Sequence, residues 1–307
     1  MIPAIVIIGP TCTGKTSLGI SLALSFGGEI INGDSMQIYR GMDIGTAKPS
    51  AEELSAVPHH LIDLLDISDP FSVADFCGAA LSAARDIHSR GKIPVIVGGT
   101  GMYIETLLSG RLYKTQSADP KRREDYYAVA SGSGAAALHA MLAERDPESA
   151  AKIHPNNVKR VVRALEMCDS GTPKSALERD TVSDPPFDPL VLLLLPDSRE
   201  ELYSHIDDRV DGMISSGLES EVRSLCERGL RTAPTASQAI GYKEFFPVFD
   251  GLCGIPEAVE QIKRHTRNYA KRQLTYFGHM KQAVPVTAGA GAVDSARRIY
   301  CQWSKTR

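Results

Sequence analysis

The feature that most constrains this chain lies in its first twenty-four residues. An aliphatic run from Ala4 to Ile8 opens directly into Gly9-Pro10-Thr11-Cys12-Thr13-Gly14-Lys15-Thr16, followed by the helix-forming stretch Ser17 to Leu24. Strand, glycine loop and helix in that order are what a P-loop requires. Glycines let backbone N–H groups approach phosphate oxygens, and the helix N-terminus adds positive potential. Lys15 supplies a full charge, and the Thr16 hydroxyl can ligate Mg²⁺. Gly9, Pro10, Thr11, Cys12, Thr13, Gly14, Lys15 and Thr16 are therefore the expected diphosphate cradle, with Thr16 as the metal ligand.

Further β-rich runs, Glu29 to Asn32, His60 to Leu65, Ile93 to Val97 and Val191 to Leu195, alternate with helical patterns. That alternation predicts an α/β fold of the P-loop NTPase-like kind, a mostly parallel sheet flanked by helices. From Lys114 to about Pro189 the pattern turns polar, Ala-rich and helical, punctuated by Ser131-Gly132-Ser133-Gly134 and Asp184-Pro185-Pro186. Residues 1–113 and 190–307 thus read as the core, and 114–189 as a helical insertion domain hinged by Gly, Ser and Pro. Glu200 to Arg228 and Pro256 to Gln282 read as long helices returning to the core. The last ~20 residues, from Gly289, carry weak signals and are expected to be poorly anchored.

Composition narrows the setting. The 307 residues are 43% hydrophobic and 23% charged, enough for one sizeable core with an appendage. Met1 to Ile8 lacks a basic n-region and reads as a strand rather than a signal peptide. The longest aliphatic run, Leu190 to Leu195, is far short of the ~20 residues of a membrane span. The six cysteines are scattered, without a Cys-x-x-Cys pair or clustered His, so neither a zinc site nor a disulfide framework is indicated and the cytoplasm is the expected compartment. The net charge of −3 argues weakly against nucleic acid, which demands neutralised phosphates.

Two further strand ends carry polar groups. Glu29 to Asn32 leads into Gly33-Asp34-Ser35-Met36-Gln37-Ile38-Tyr39-Arg40, beside the P-loop, where open α/β sheets bind ligands. Asp34 is the candidate base there, against an equally weighted reading as a turn or cap carboxylate. Val97-Gly98-Gly99-Thr100-Gly101-Met102-Tyr103 is a second such end, where glycines admit a ligand and Thr100 offers a hydroxyl.

These residues together resemble the bacterial tRNA dimethylallyltransferases. The resemblance rests on Gly9 to Thr16, the long run from Asp34 to Pro49, Val97 to Tyr103, His154 to Asn157, Arg160, Arg163 to Glu166, Ala239 to Glu244 and Tyr269 to Leu274. Cys12 and Thr13 replace the family's usual Ala and Ser, and Asn157 its common Asp. The resemblance implies transfer of a dimethylallyl group from its diphosphate to the exocyclic amine of the adenosine next to the anticodon. Asp34 would take the amine proton, Thr100 would orient a reactant, and Lys15, Arg209 and Mg²⁺ on Thr16 would neutralise the leaving diphosphate. Asp34, Ser35, Met36, Gln37, Thr100, Arg123, Lys159, Arg160, Val161, Val162 and Arg163 would meet the anticodon stem-loop of tRNA, with the target base extruded from its stack. A cytoplasmic monomer without membrane contact is expected.

Three basic clusters could serve RNA phosphates despite the acidic total: Lys121-Arg122-Arg123; Lys159, Arg160 and Arg163; and Lys263, Arg264, Arg267, Lys271 and Arg272. Such runs are usually solvated faces. A P-loop kinase of a nucleoside or small metabolite is the main rival, with Asp197, after Leu192 to Pro196, as an imperfect metal-binding aspartate. A prenyltransferase of free adenine nucleotides is the nearer one, although a small acceptor needs no basic insertion.

Overall fold

The computed structural model describes residues 1–110, 119–179 and 185–306. Six strands, β1 (Ile2–Ile8), β2 (Gly28–Asn32), β3 (His59–His60), β4 (Ile93–Val97), β5 (Phe187–Leu195) and β6 (Val284–Thr287), form one sheet in the order β3-β2-β4-β1-β5-β6. Every pairing is parallel. Parallel neighbours require crossovers, and helices supply them. They include α1 (Lys15–Phe26), α2 (Ala51–Ala56), α3 (Val73–Ser89) and α4 (Gly101–Ser109) before the insertion. After it come α10 (Arg199–Ser215), α11 (Leu218–Glu227), α12 (Phe246–Phe249), α13 (Ile255–Phe277) and α14 (Ala292–Ser304).

Side-chain alternation sorts the layers. Along β1, Ala4, Val6 and Ile8 pack with Phe76 and Ala80 of α3 and with Ile104 and Leu107 of α4. Ile5 and Ile7 face the other way, onto Leu18 and Leu22 of α1 and Ala292 and Ala296 of α14. Both faces of the sheet are thus covered, as an all-parallel sheet demands. A third cluster joins Ile38, Tyr39 and Met42 to α11 and to Ile262 of α13.

Contacts divide the chain into two compact units, Met1–Ser109 with Pro185–Arg307, and Gly110–Asp184. The second is all helical among its described residues: α5 (Pro120–Gly132), α6 (Ala135–Arg145), α7 (Pro147–Lys152), α8 (Val158–Asp169) and α9 (Lys174–Arg179). Its core holds Leu138, Leu142, Val161, Val162 and Leu165. The boundary between residues 113 and 114, and Asp184 of the Pro-rich hinge, lie outside the described residues.

Three expectations need correction. β3 is two residues long rather than reaching Leu65, because Leu61 and Asp63 take positive φ and the Arg40 guanidinium gathers the Asp63 and Leu64 carbonyls. β5 begins at Phe187, inside the stretch assigned to the insertion, with Pro189 opposite Ala4. Pro is tolerated there because β6 pairs only with Leu192 to Leu195, leaving the start of β5 without a ladder partner on that side. The C-terminal segment is anchored, not loose. β6 extends the sheet, Ala296 is fully buried, and Tyr300 of α14 stacks on Phe26 with ring centroids 3.8 Å apart. Only Val286 of β6 is buried, so so short an edge strand leaves little pattern to read.

Candidate active site

The carboxyl ends of β1, β2 and β4 surround a cleft of about 390 Å³. The P-loop forms one wall. Gly14, at φ 83°, caps α1 from the left-handed region, so the loop can turn its amides toward the cleft before Lys15 and Thr16 start the helix. Cys12 also has positive φ, at 63°. The Thr13 hydroxyl is buried and donates to Pro10 O at 2.9 Å, bracing the loop from within.

Of the three Lys and Arg side chains that line this cleft, Lys48 is committed to Asp43 and Asp63, which leaves Lys15 and Arg209 beside the P-loop. Lys15 Nζ rests on Pro10 O at 2.6 Å. Burial, reinforced by the nearby Arg209 charge, brings its ammonium down to about 8, against the pull of Cys12 and Asp34. Arg209, from α10, donates through Nη1 to Thr11 Oγ1 at 3.3 Å and to Cys12 Sγ at 3.5 Å. An anion between them would offset the mutual repulsion of the two charges.

Asp34 leaves the end of β2 with its Oδ1 accepting the N–H of Met36 at 2.8 Å and of Gln37 at 3.4 Å. The turn-cap reading of Asp34 is thus seen directly. One oxygen caps the turn, and Oδ2 has no hydrogen-bond partner among the described residues. A second cavity, about 320 Å³, lies beyond it and is lined by Met36, Ile206, Val210, Met213, Ile240 and Ile262. Asp34, Thr11, Thr46, Arg209 and Tyr269 line both cavities, so the carboxylate stands where the polar cleft meets the apolar one.

Helix α13 closes the floor. Gln273, buried, accepts the Thr11 N–H at 2.9 Å and donates to Gly99 O at 2.9 Å. A Cβ at Gly99 would stand 2.3 Å from Gln273 Nε2, so a larger residue there would displace the Gln273 amide. One turn earlier the Tyr269 hydroxyl reaches the same carbonyl at 3.4 Å, its phenol pushed up to about 12 by burial and the Asp34 charge.

The run from Asp34 to Pro49 proves largely self-bonded. Lys48 Nζ, almost wholly buried, bridges Asp43 and Asp63, each at 2.5 Å. The Gln37 amide donates to Thr46 O and Ala47 O, so it shapes the loop instead of projecting to RNA. Glu221 of α11 collects the N–H groups of Asp43, Ile44 and Gly45 and the Tyr242 hydroxyl. Ser35 and Met36 do line the second cavity.

Other expected residues fall differently. Thr100 lines neither cavity. Its hydroxyl is shut off from solvent without a hydrogen-bond partner, although the Tyr269 phenol is close enough to sense it. Val161 and Val162 are core residues of the second unit, so their side chains are unavailable to RNA. In that unit Arg123 pairs with Glu166 at 2.5 Å and Arg163 with the same carboxylate at 3.2 Å. Lys159 and Arg160 are exposed and make no ion pair among the described residues. On α13, Lys263 and Arg267 are matched to Asp211 and Asp207 of α10, which removes them from the free cations. Asp197 is exposed and lines neither cavity, so the aspartate required by the kinase reading is out of place. The residues missed were Gln273, Tyr269, Glu221 and the apolar wall. Tyr269 and Gln273 stand four apart on one helical face, which was the single local signal available.

Among the described residues no group of three or more His, Cys, Asp or Glu could hold a metal. A Mg²⁺ held by Thr16 and by substrate phosphates fits the cleft better than a dedicated protein cage.

A P-loop at the head of an all-parallel sheet, with Lys15 and Arg209 at a cleft that opens onto an apolar cavity, places the chain among the P-loop α/β proteins. The model of the family described as IPP transferase matches residues 37–280. The tRNA dimethylallyltransferase of Geobacillus thermodenitrificans is 50% identical over 274 residues, 89% of this chain and 86% of that one. That of Bacillus subtilis is 47% identical over 281 residues, 91% and 89%. Among solved structures, a eukaryotic dimethylallyltransferase acting on tRNA superposes with a TM-score of 0.83 at 31% identity, over 100% of this chain and 80% of that one. The tRNA isopentenylpyrophosphate transferase of Staphylococcus epidermidis does so with 0.72 at 40% identity, over 99% and 100%. The chain belongs to the IPP transferase family.

Proposed function

We propose that this chain transfers a dimethylallyl group from dimethylallyl diphosphate to the exocyclic amine of the adenosine adjacent to the anticodon in tRNA, releasing diphosphate. The observation that carries this reading is the Asp34 carboxylate at the junction of the two cavities, with Lys15 and Arg209 on its polar side. The allylic C–O bond breaks as the new C–N bond forms. Lys15, Arg209 and the P-loop amides hold the negative charge that gathers on the departing diphosphate. The amine is a weak nucleophile because its lone pair is delocalised into the ring, and the unengaged Asp34 Oδ2 takes its proton. Thr16 would hold a Mg²⁺ that adds charge neutralisation to the diphosphate when bound. The apolar wall of Met36, Met213 and Ile240 suits an unsaturated hydrocarbon and a base face.

Exposed Lys159 and Arg160 of the helical unit supply phosphate contacts to the anticodon stem-loop, and Thr100 acts from behind the Tyr269 ring. No described helix is long and apolar enough to cross a membrane.

Incubation of the purified protein with labelled dimethylallyl diphosphate and unmodified tRNA, AMP or a panel of kinase acceptors tests the reading. Label is expected in tRNA alone. Label in AMP would move the protein to the nucleotide prenyltransferases, and phosphate transfer from ATP would make it a kinase.

A further inference from the structure

Gln273 bridges the loop that follows β1 and the end of β4. Its Oε1 accepts the N–H of Thr11 in the P-loop, its Nε2 donates to Gly99 O at the end of β4, and both bonds are 2.9 Å. Thr11 and Gln273 are 262 residues apart. Gln273 is 5% exposed, so bulk water does not readily replace either bond. The helix that carries it is held in place independently. Asp207 takes both oxygens to Arg267, Asp211 takes Lys263, and Leu202, Ile206 and Ala270 form a common apolar core between α10 and α13. Arg209, on the same α10, holds the other side of Thr11 through its hydroxyl. Thr11 is thus gripped at its amide and at its Oγ1 by two helices packed on each other.

The Thr11 N–H is one of the loop amides that a phosphate oxygen would otherwise attract, and here it is already committed to a side chain. Gln273 therefore adds nothing to phosphate binding directly. What it sets is the separation between the P-loop, which carries the leaving group, and the β4 end, which carries Gly99 and Thr100.

We propose that Gln273 is a positioning residue for the transfer reaction, a two-ended amide strut that fixes the P-loop relative to the end of β4 across the polar cleft. This rests on the prenyl-transfer reading. A displacement of about 1 Å between reacting atoms can cost ~10²-fold in rate. Removing the strut should therefore act on turnover rather than on ligand affinity.

Two variants separate positioning from mere support. Gln273→Met keeps the volume and loses both hydrogen bonds. Gln273→Glu keeps an acceptor for Thr11 N–H, but when ionised it turns a lone pair toward Gly99 O. When protonated it regains a donor and matches glutamine. For Gln273→Met the expected result is a kcat at least about 10-fold lower, KM for dimethylallyl diphosphate within about 3-fold, and an affinity for inorganic diphosphate, read by calorimetry, equally unchanged. For Gln273→Glu the kcat relative to the unaltered protein should climb as pH falls from 8 to 6, while Gln273→Met shows no such climb. Melting temperatures measured across the same pH range keep the comparison among folded proteins. Parallel loss of kcat and diphosphate affinity in Gln273→Met would make Gln273 a support of the cradle alone, and an unchanged kcat would remove it from the reaction. A kcat for Gln273→Glu at pH 8, where the carboxyl is ionised, equal to that of the unaltered protein overturns the two-ended strut. If the unaltered protein transfers no prenyl group to tRNA, the functional reading fails, whereas the calorimetric comparison stands apart from it.

Discussion

Arg163 and Glu166, three residues apart on α8, are bound to each other at 3.2 Å, and the same carboxylate also receives Arg123 from α5. Arg123 and Arg122, which pairs with Asp169, thus tie α5 to α8, and Arg163 braces the Glu166 carboxylate within α8, whereas Lys159 and Arg160 are exposed and make no ion pair among the described residues. The double replacement Lys159→Ala with Arg160→Ala should lower the slope of log affinity for tRNA against log salt by about one to two units and leave the melting temperature alone. Arg163→Ala should instead lower stability by roughly 1 kcal/mol or less, since half-exposed ion pairs are modest. Affinity at several salt concentrations, measured beside thermal melts, distinguishes them. A reduced slope for Arg163→Ala alone would return it to the RNA surface.

Asp34→Asn is a clean probe because asparagine retains an oxygen for the Met36 and Gln37 N–H groups that Oδ1 now accepts. The turn should survive while the proton acceptor is lost. Single-turnover transfer at saturating substrates should slow by roughly 10²-fold or more, with tRNA affinity retained. An unchanged rate would reduce Asp34 to a turn cap.

Lys15 gives the cleft a pH limb. Its pKa of about 8 without ligand must rise when a diphosphate sits beside it, so binding takes up a proton above that pH. Affinity for inorganic diphosphate with Mg²⁺ should be steady below pH 8 as far as Lys15 is concerned. Above it, affinity should fall by about tenfold per unit until the pKa of the complex is reached. Calorimetry from pH 6.5 to 9.5, in roughly unit steps, reads the limb. Lys15→Met should bind weakly and lose it, and persistence of the limb in that variant would place the titration on another group.

Glu29 on β2 is nearly buried among Arg90, Lys92 and His60. Its hydrogen bonds to Arg90, ahead of those to Lys92 and His60, hold its carboxyl far below the ordinary range in spite of burial. The folded pKa lies below the unfolded one, so the contribution is complete above pH about 4.5 and fades as pH falls through the folded value. Glu29→Gln should cost about 3 kcal/mol at pH 7, the low end for a broken buried pair, because Arg90 and Lys92 can turn to water. Its stability should then decline less steeply than that of the unaltered protein below pH 4.5. Denaturant titrations at pH 7 and in mild acid check both parts, and parallel curves would show that Glu29 does not drive acid unfolding.

What the sequence by itself determined is what lies in contiguous residues. The P-loop is legible because strand, loop and helix are consecutive, and a backbone that must approach phosphate admits few residues other than glycine. β1, β2 and β4 are legible because strands buried on both faces read as unbroken aliphatic runs. The run from Asp34 to Pro49 could be matched to a family, yet its purpose was not readable. Its bonds to Glu221 cross about 180 residues of chain, and a carboxylate that collects backbone amides leaves no local pattern.

Only the tertiary structure decided which charges are free. Lys263 and Arg267 looked the same as Lys159 and Arg160 along the chain, until the packing of α13 on α10 set Asp211 and Asp207 against the first pair. It also made β6 a strand by laying Val286 under the apolar face of α14, and made Gln273 a partner of Thr11. Charge and hydrogen-bonding capacity belong to the residue, but whether they are spent depends on neighbours that the chain brings close only by burying its apolar surface.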